Sequence, residues 1–202
     1  MSSSPELLWL GERRDYRATW AAMRRYTARR TRETPDACWA LTHPPVFTQG
    51  LAGRQEHLLN PGHIPVIPTD RGGQVTYHGP GQLILYTLVD LKRAGLGPRE
   101  WVYRLEQAVI GWLGEQGVAS ERRPDAPGVY VDGAKIAALG LKIRQGRCYH
   151  GLSLNIDMDL APFARINPCG YQGLAVTDAK RLLGETPALP SIASELAGML
   201  AS

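Results

Sequence analysis

Cys169 lies in ARINPCGYQG, between Pro168 and Gly170, in a stretch with neither strand nor helix periodicity. A core cysteine normally sits on an apolar face, whereas a reactive one needs access and a positive neighbour that favours its thiolate. The local sequence therefore predicts a loop thiol and leaves open whether it is chemical or structural. Cys38 and Cys148 fall inside strand patterns with apolar or aromatic neighbours and are expected to be small core side chains. Neither Cys-x-x-Cys nor His-x-x-x-His occurs, so no metal site is expected.

The second unusual segment is RGGQVTYHGPGQ, from Arg71 to Gln82. Paired glycines let backbone amides approach a ligand closely, and Arg71, Thr76 and His78 bring polar groups to the same place. A hairpin that merely needs glycine would read the same way. The phosphate loop G-x-x-x-x-G-K-[ST] is missing, and no G-x-G-x-x-G opens a helix here, so nucleotide chemistry has no support. Lys135 follows Asp132-Gly133, and the small residues Ala137, Ala138 and Gly140 after it leave room on a strand surface for a substrate wall. An ordinary exposed strand lysine is the alternative.

The elements that must position these groups can be read from periodicity. Residues 12–32 are expected to form an arginine-rich helix, with Leu10, Tyr16, Trp20 and Met23 at its packed face. DACWALTHPPVFTQG reads as a strand ended by Pro44 and Pro45, followed by a loop through Asn60, Pro61 and Gly62. QLILYTLVDL is continuous and apolar enough for the centre of a sheet. Residues 99–117 form the clearest helix, with Trp101, Leu105, Val109, Trp112 and Leu113 on one stripe and Gly117 as its stop. From Val129 the pattern is a meander of three strands joined at Asp132-Gly133, a dipeptide suited to the positive φ of a tight hairpin turn, and at Gln145-Gly146. Two C-terminal helices are expected, opening at Thr177 and Ser191.

The chain has 202 residues, 44% of them hydrophobic, which fits one domain over residues 1–202. Three cysteines are too few for a secreted disulfide framework, and nowhere do about eighteen apolar residues follow one another, so a cytoplasmic, membrane-free protein is expected. The net charge of +4 comes from bases interleaved with acids except near the N-terminus. That argues against nucleic acid and for either a solvated face or an acidic protein partner at the arginine helix.

Taken together, HPPVFTQG, GRQEHLLNP, DRGGQVTYHGPGQLILY, RPDAPGVYVDGAKIAALGLKIR, HGLSLN and INPCGYQG resemble the lipoyl(octanoyl) transferase family in order and spacing, from about Asp36 to Thr177. The resemblance implies an α/β fold of α+β type, a mixed sheet with flanking helices similar to the catalytic domain of biotin and lipoate protein ligases, working without ATP or another cofactor. It implies octanoyl transfer from acyl carrier protein to a lysine of lipoyl domains in 2-oxoacid dehydrogenases and of the glycine cleavage H protein. It makes Cys169 the thioester nucleophile and Lys135 its partner. The acyl pocket is implied at Arg71, Gly72, Gly73, Gln74, Val75, Thr76, Tyr77 and His78, at Ala138, Leu139 and Gly140, and at Gly151, Leu152 and Ser153. Beside it, His78 and His150 are read either as orienting the substrate or partner lysine or as neutral structural histidines.

The chemistry sets what these groups must do. A free thiol, with a reference pKa of about 8.5, is mostly protonated at neutral pH, so a nearby ammonium would enlarge the thiolate fraction. The same lysine, if neutral, would accept a proton from the incoming amine. Oxyanion donors are expected among the backbone amides of Cys169 and Gly170 or of the Arg71-Gly72-Gly73 turn. An ATP-dependent ligase, a hydrolase using the same pair, and a non-catalytic acyl-binding module are the rival readings.

Overall fold

The computed structural model describes residues 5–201. In chain order its elements are β1 (Glu6–Gly11), α1 (Tyr16–Arg29), β2 (Ala37–Leu41), β3 (Val46–Gln49), β4 (Val66–Pro68), β5 (Val75–His78), β6 (Gln82–Leu88), α2 (Leu91–Ala94), α3 (Pro98–Glu115), β7 (Glu121–Arg122), β8 (Gly128–Val131), β9 (Ala134–Arg144), β10 (Arg147–Asn155), α4 (Ala179–Leu183) and α5 (Leu189–Ala201). The larger sheet runs β1-β2-β6-β10-β9-β8-β7 and the smaller β4-β3-β5. Parallel β1–β2 and β3–β4 pairs stand beside antiparallel ones, so both sheets are mixed. This is the α/β architecture expected from the sequence.

All seven residues of β6 are buried, because helices or the small sheet cover both of its faces. Alternation divides its side chains: Leu83 and Leu85 join the core under α3 and α5, whereas Ile84, Tyr86 and Leu88 face α1. The stripe Trp101, Leu105, Val109, Trp112 and Leu113 is buried against the sheet as periodicity predicts. Its indoles are not left unpaired, since Trp101 Nε1 donates to Thr87 Oγ1 at 3.2 Å and Trp112 Nε1 to Glu195 at 2.7 Å. Gly117 takes φ +78° just past α3, the left-handed stop that a residue with a Cβ resists.

Four boundaries differ from expectation, each for a local reason. The first helix starts at Tyr16, not residue 12, because the Asp15 side chain accepts from Ala18 N at 2.8 Å and caps it there. Leu10 therefore belongs to β1, the edge strand that pairs in parallel with β2. The Asp36–Gly50 stretch is two strands rather than one: Pro44 and Pro45, lacking amide hydrogens, break the ladder, and β2 and β3 enter different sheets. At the C-terminus, Asp178 rather than Thr177 caps α4, its carboxylate accepting from Arg181 N at 2.9 Å, and α5 begins at Leu189, so Ser191 lies inside it.

The β8–β9–β10 meander matches the sequence. Asp132 and Gly133 take φ +47° and +82°, and Gln145 and Gly146 +53° and +80°, the positive pair that a two-residue hairpin turn requires. Register then fixes which residues face the site: Ala138 opposes Ser153, Gly140 opposes Gly151 and Leu141 opposes His150.

Candidate active site

Lys135 and Cys169, far apart in sequence, meet in space. The Lys135 Nζ stands 2.9 Å from Cys169 Sγ and donates a second bond to the Pro127 carbonyl at 3.1 Å. It also lies 5.1 Å from the centre of the Tyr130 ring, a cation over a π face. The cysteine loop is tied to the lysine strand through the backbone: Lys135 N donates to Ala175 O at 2.8 Å and Thr177 N to Lys135 O at 3.0 Å. Lys135 is 3% exposed, not the surface lysine that a strand start usually gives. Burial alone would pull its pKa down, but the neighbouring Cys169 sulfur and then the Tyr130 hydroxyl outweigh burial and raise it, so the resting side chain is an ammonium.

Cys169 itself takes φ +57° inside a turn at residues 168–170, a conformation uncommon for a residue with a side chain. Gly128, at φ +143°, leaves space for the amine: a Cβ there would lie 2.6 Å from Ala137 O, 3.0 Å from Lys135 Cε and 3.2 Å from Nζ. The Gly128 amide is held by the buried Glu106 of α3 at 2.8 Å.

Cys169 opens onto a cavity of about 320 Å³ between the large sheet and the Arg71–His78 segment. Of the pocket residues expected from sequence, Arg71, Gly72, Gly73, Gln74, Val75, Thr76, His78, Ala138, Leu139, Gly140, His150, Gly151, Leu152 and Ser153 border it. Leu139 and Leu152 do so while also packing with the α3–α5 core, and Val75 while packing beneath the small sheet. Tyr77 is not brought there. Strand alternation turns its ring to the other face of β5, between Phe47 and Phe163 with centroids 5.5 Å away. Two of the backbone amides expected to hold an oxyanion are engaged within the protein, Gly170 N with Asn167 O at 3.0 Å and Gly72 N with Leu141 O at 2.9 Å.

Residues 15–200 match the lipoyl protein ligase A/B catalytic domain family. The octanoyltransferase of Alkalilimnicola ehrlichii is 60% identical over 182 residues, which cover 90% of this chain and 84% of that one. That of Chromobacterium violaceum is 62% identical over 168 residues, 83% of this chain and 81% of its own. The chain belongs to the octanoyltransferases of this family. In fold it is similar to the lipoate protein ligase of Thermoplasma acidophilum (TM-score 0.75, 13% identity, 98% of this chain and 82% of that one). The biotin protein ligase of Aquifex aeolicus is more distant (TM-score 0.57, 11% identity, 96% and 66%).

In this octanoyltransferase-family site a relay of hydrogen bonds braces the cavity wall. Buried Arg71 donates to Thr48 Oγ1 and to the carbonyls of Thr48, Gly72 and Gln74, pinning the glycine turn to β3. Thr48 Oγ1 meets His78 Nε2 at 3.3 Å, His78 Nδ1 meets Gln82 Oε1 at 2.8 Å, and Gln82 Nε2 donates to Asn155 Oδ1 at 2.9 Å. Asn155 Nδ2 reaches the carbonyl of Thr177, whose amide holds Lys135. Both nitrogens of His78 are thus engaged inside the protein, and burial lowers its pKa to about 3, so it is a neutral brace.

Sequence reasoning missed Tyr16, Ile84, Tyr86, Val102, Leu141, Tyr171 and the Asp125–Pro127 segment, all of which border the cavity. Alternation along QLILYTL could have found Ile84 and Tyr86. Tyr171 closes over the cysteine loop by donating from Oη to Asp125 O at 3.0 Å, a partner that no local pattern announces.

Proposed function

We propose that this chain moves an octanoyl group from octanoyl-acyl carrier protein onto Cys169 as a thioester, and from there to the lysine of a lipoyl domain. The acceptors would be the lipoyl domains of 2-oxoacid dehydrogenases and of the glycine cleavage H protein, and the catalytic unit a single domain over residues 1–202. The observation that carries the reading is the 2.9 Å contact of the Lys135 amine with a thiol at the mouth of an apolar-walled cavity. Burying the acyl chain there contributes up to about 5 kcal/mol, at roughly 0.8 kcal/mol per methylene.

The steps balance on one proton. The Cys169 thiolate attacks the carrier thioester, the Sγ–C bond forms, and the carrier sulfur leaves with a proton from Lys135. With the sulfur acylated, the negative charge that raised the Lys135 pKa is gone, and burial now favours the neutral amine. When the acceptor arrives as a neutral amine and attacks the thioester, Lys135 takes its surplus proton and the Cys169 thiolate leaves. The pair ends as it began. Thioester exchange is close to neutral and amide formation runs downhill, so no nucleotide enters. A cytoplasmic setting fits the three free cysteines; no helix among the described residues is long and apolar enough to cross a membrane.

The test is a product analysis with octanoyl-carrier protein in the absence of ATP. The expected result is an octanoylated lipoyl domain and little free octanoate. A hydrolase would release octanoate with no domain present, and a ligase would stay idle without ATP.

Carrier docking is read from charge. Arg24, Arg25, Arg144 and Arg147 line a groove of about 460 Å³ between α1 and the β9–β10 turn. Tyr149 forms its inner wall and donates to Asp70, which in turn meets the cavity residue His150. Reversing charge in Arg24→Glu/Arg25→Glu is expected to raise the KM for carrier protein about tenfold at low salt, fading as salt screens the attraction. A KM unchanged at every ionic strength returns this face to a solvated surface.

A further inference from the structure

Glu106 is a buried carboxylate for which the proposed reaction has no task. It follows Leu105 on α3 and is 6% exposed, in surroundings where a charge without a partner is costly. Its Oε1 accepts from Gly128 N at 2.8 Å, and its Oε2 faces Arg122 Nε at 3.9 Å. The β7 ladder stops at the Arg122–Val129 pair, and the next amide along β8, that of Gly128, is taken by the carboxylate instead of a strand.

Gly128 N belongs to the same peptide unit as Pro127 O, the carbonyl to which Lys135 Nζ donates at 3.1 Å. A trans peptide is planar and sends its C=O and N–H in opposite directions, so Glu106 and the Lys135 amine hold the two ends of one rigid plate. Fixing the N–H fixes the direction of the carbonyl. A carboxylate on the N–H also polarises the unit and makes the oxygen a stronger acceptor. The other neighbours of Nζ are Cys169 Sγ at 2.9 Å and the Tyr130 ring, its centre 5.1 Å away. Once the sulfur carries an acyl group it is a poor acceptor, and of these three contacts Pro127 O is then the strongest that the amine keeps. The geometry points to Glu106 as a positioning residue for Lys135. Through the Pro127–Gly128 peptide it holds Nζ against the sulfur and, in the acylated enzyme, keeps the amine where the acceptor's proton must leave. This rests on the reading of Lys135 as the partner of Cys169.

The test sets Glu106→Gln, which keeps an oxygen in reach of Gly128 N, beside Glu106→Asp, which keeps the charge but is one methylene shorter. Two readouts are taken: alkylation of Cys169 by iodoacetamide at neutral pH, and kcat and KM for transfer from octanoyl-carrier protein to a lipoyl domain. Glu106→Asp is expected to slow alkylation and to lower kcat about tenfold, the effect of a modest misplacement of a reacting group, with the KM for the domain unchanged. Glu106→Gln should recover most of both losses. In a Lys135→Ala background Glu106→Asp should slow alkylation no further, because a residue that works through the amine has nothing left to position. Equal losses in the two variants overturn the positioning role, and so does an Asp variant at the wild-type rates. A loss that persists undiminished in Lys135→Ala overturns it too, and leaves Glu106 a fastener between α3 and β8. If Lys135→Ala alone alkylates and transfers at the wild-type rates, the reading of Lys135 itself has fallen, and the role of Glu106 with it.

Discussion

Mixed with octanoyl-acyl carrier protein, the wild-type chain is expected to gain one octanoyl group that hydroxylamine removes, and Cys169→Ala to gain none. The other two thiols cannot substitute. Cys38 and Cys148 are fully buried, and burial pushes both thiols up to about 12, so neither forms a thiolate at neutral pH. Cys169 alone is partly exposed, borders the cavity and has an ammonium at 2.9 Å. Turnover in the alanine variant should fall roughly 10⁴-fold or more, the scale on which a lost nucleophile is felt. An adduct that persists in Cys169→Ala, or an active wild type whose mass never changes, would rule out the covalent route and leave direct transfer between bound substrates.

Much of the scaffold was legible because local chemistry dictated it. Asp132-Gly133 and Gln145-Gly146 could hardly be anything but tight turns, and the stripe from Trp101 to Leu113 has no other use than burial. What sequence could not show is which distant loops meet. Nothing near Lys135 names Cys169; their encounter depends on residues 175–177 running beside β9, a bridge made only in the folded chain. The resemblance supplied that pairing, and the geometry brings the two side chains together. It also grouped Tyr77 with its neighbours, where the two-residue period of a strand separates it from Thr76 and His78. The reverse error occurs ahead of Asp36, where the resemblance read from the sequence begins: the family match reaches back to residue 15, and α1 delivers Tyr16 to the cavity. His78 and His150 looked alike in sequence. Only their partners distinguish a ring bonded at both nitrogens from one with Nδ1 unfilled.

Replacing Lys135 separates its two roles. Lys135→Ala removes the ammonium 2.9 Å from the sulfur, so thiol alkylation at neutral pH should slow. It also removes the proton acceptor for the second half-reaction, and transfer to a lipoyl domain should fall about 10²–10⁴-fold, the usual range for a lost general base. Lys135→Arg keeps a cation but not a base, because a guanidinium does not deprotonate in proteins. It should therefore alkylate faster than Lys135→Ala, load the octanoyl group more slowly than the wild type because the carrier sulfur must leave as a thiolate and take its proton from water, and then hold it. Gly128→Ala offers a check that leaves the lysine in place. Its methyl would sit 3.0 Å from Lys135 Cε and 2.6 Å from Ala137 O, so β9 or the lysine side chain must shift and disturb the 2.9 Å contact with the sulfur, and both rates should drop in the same direction by less. If Lys135→Ala and the wild type are alkylated at one rate at neutral pH, the ammonium is not what activates Cys169. If Lys135→Arg also turns over at the wild-type rate, Lys135 is not the base, and the proton must leave the amine by another path.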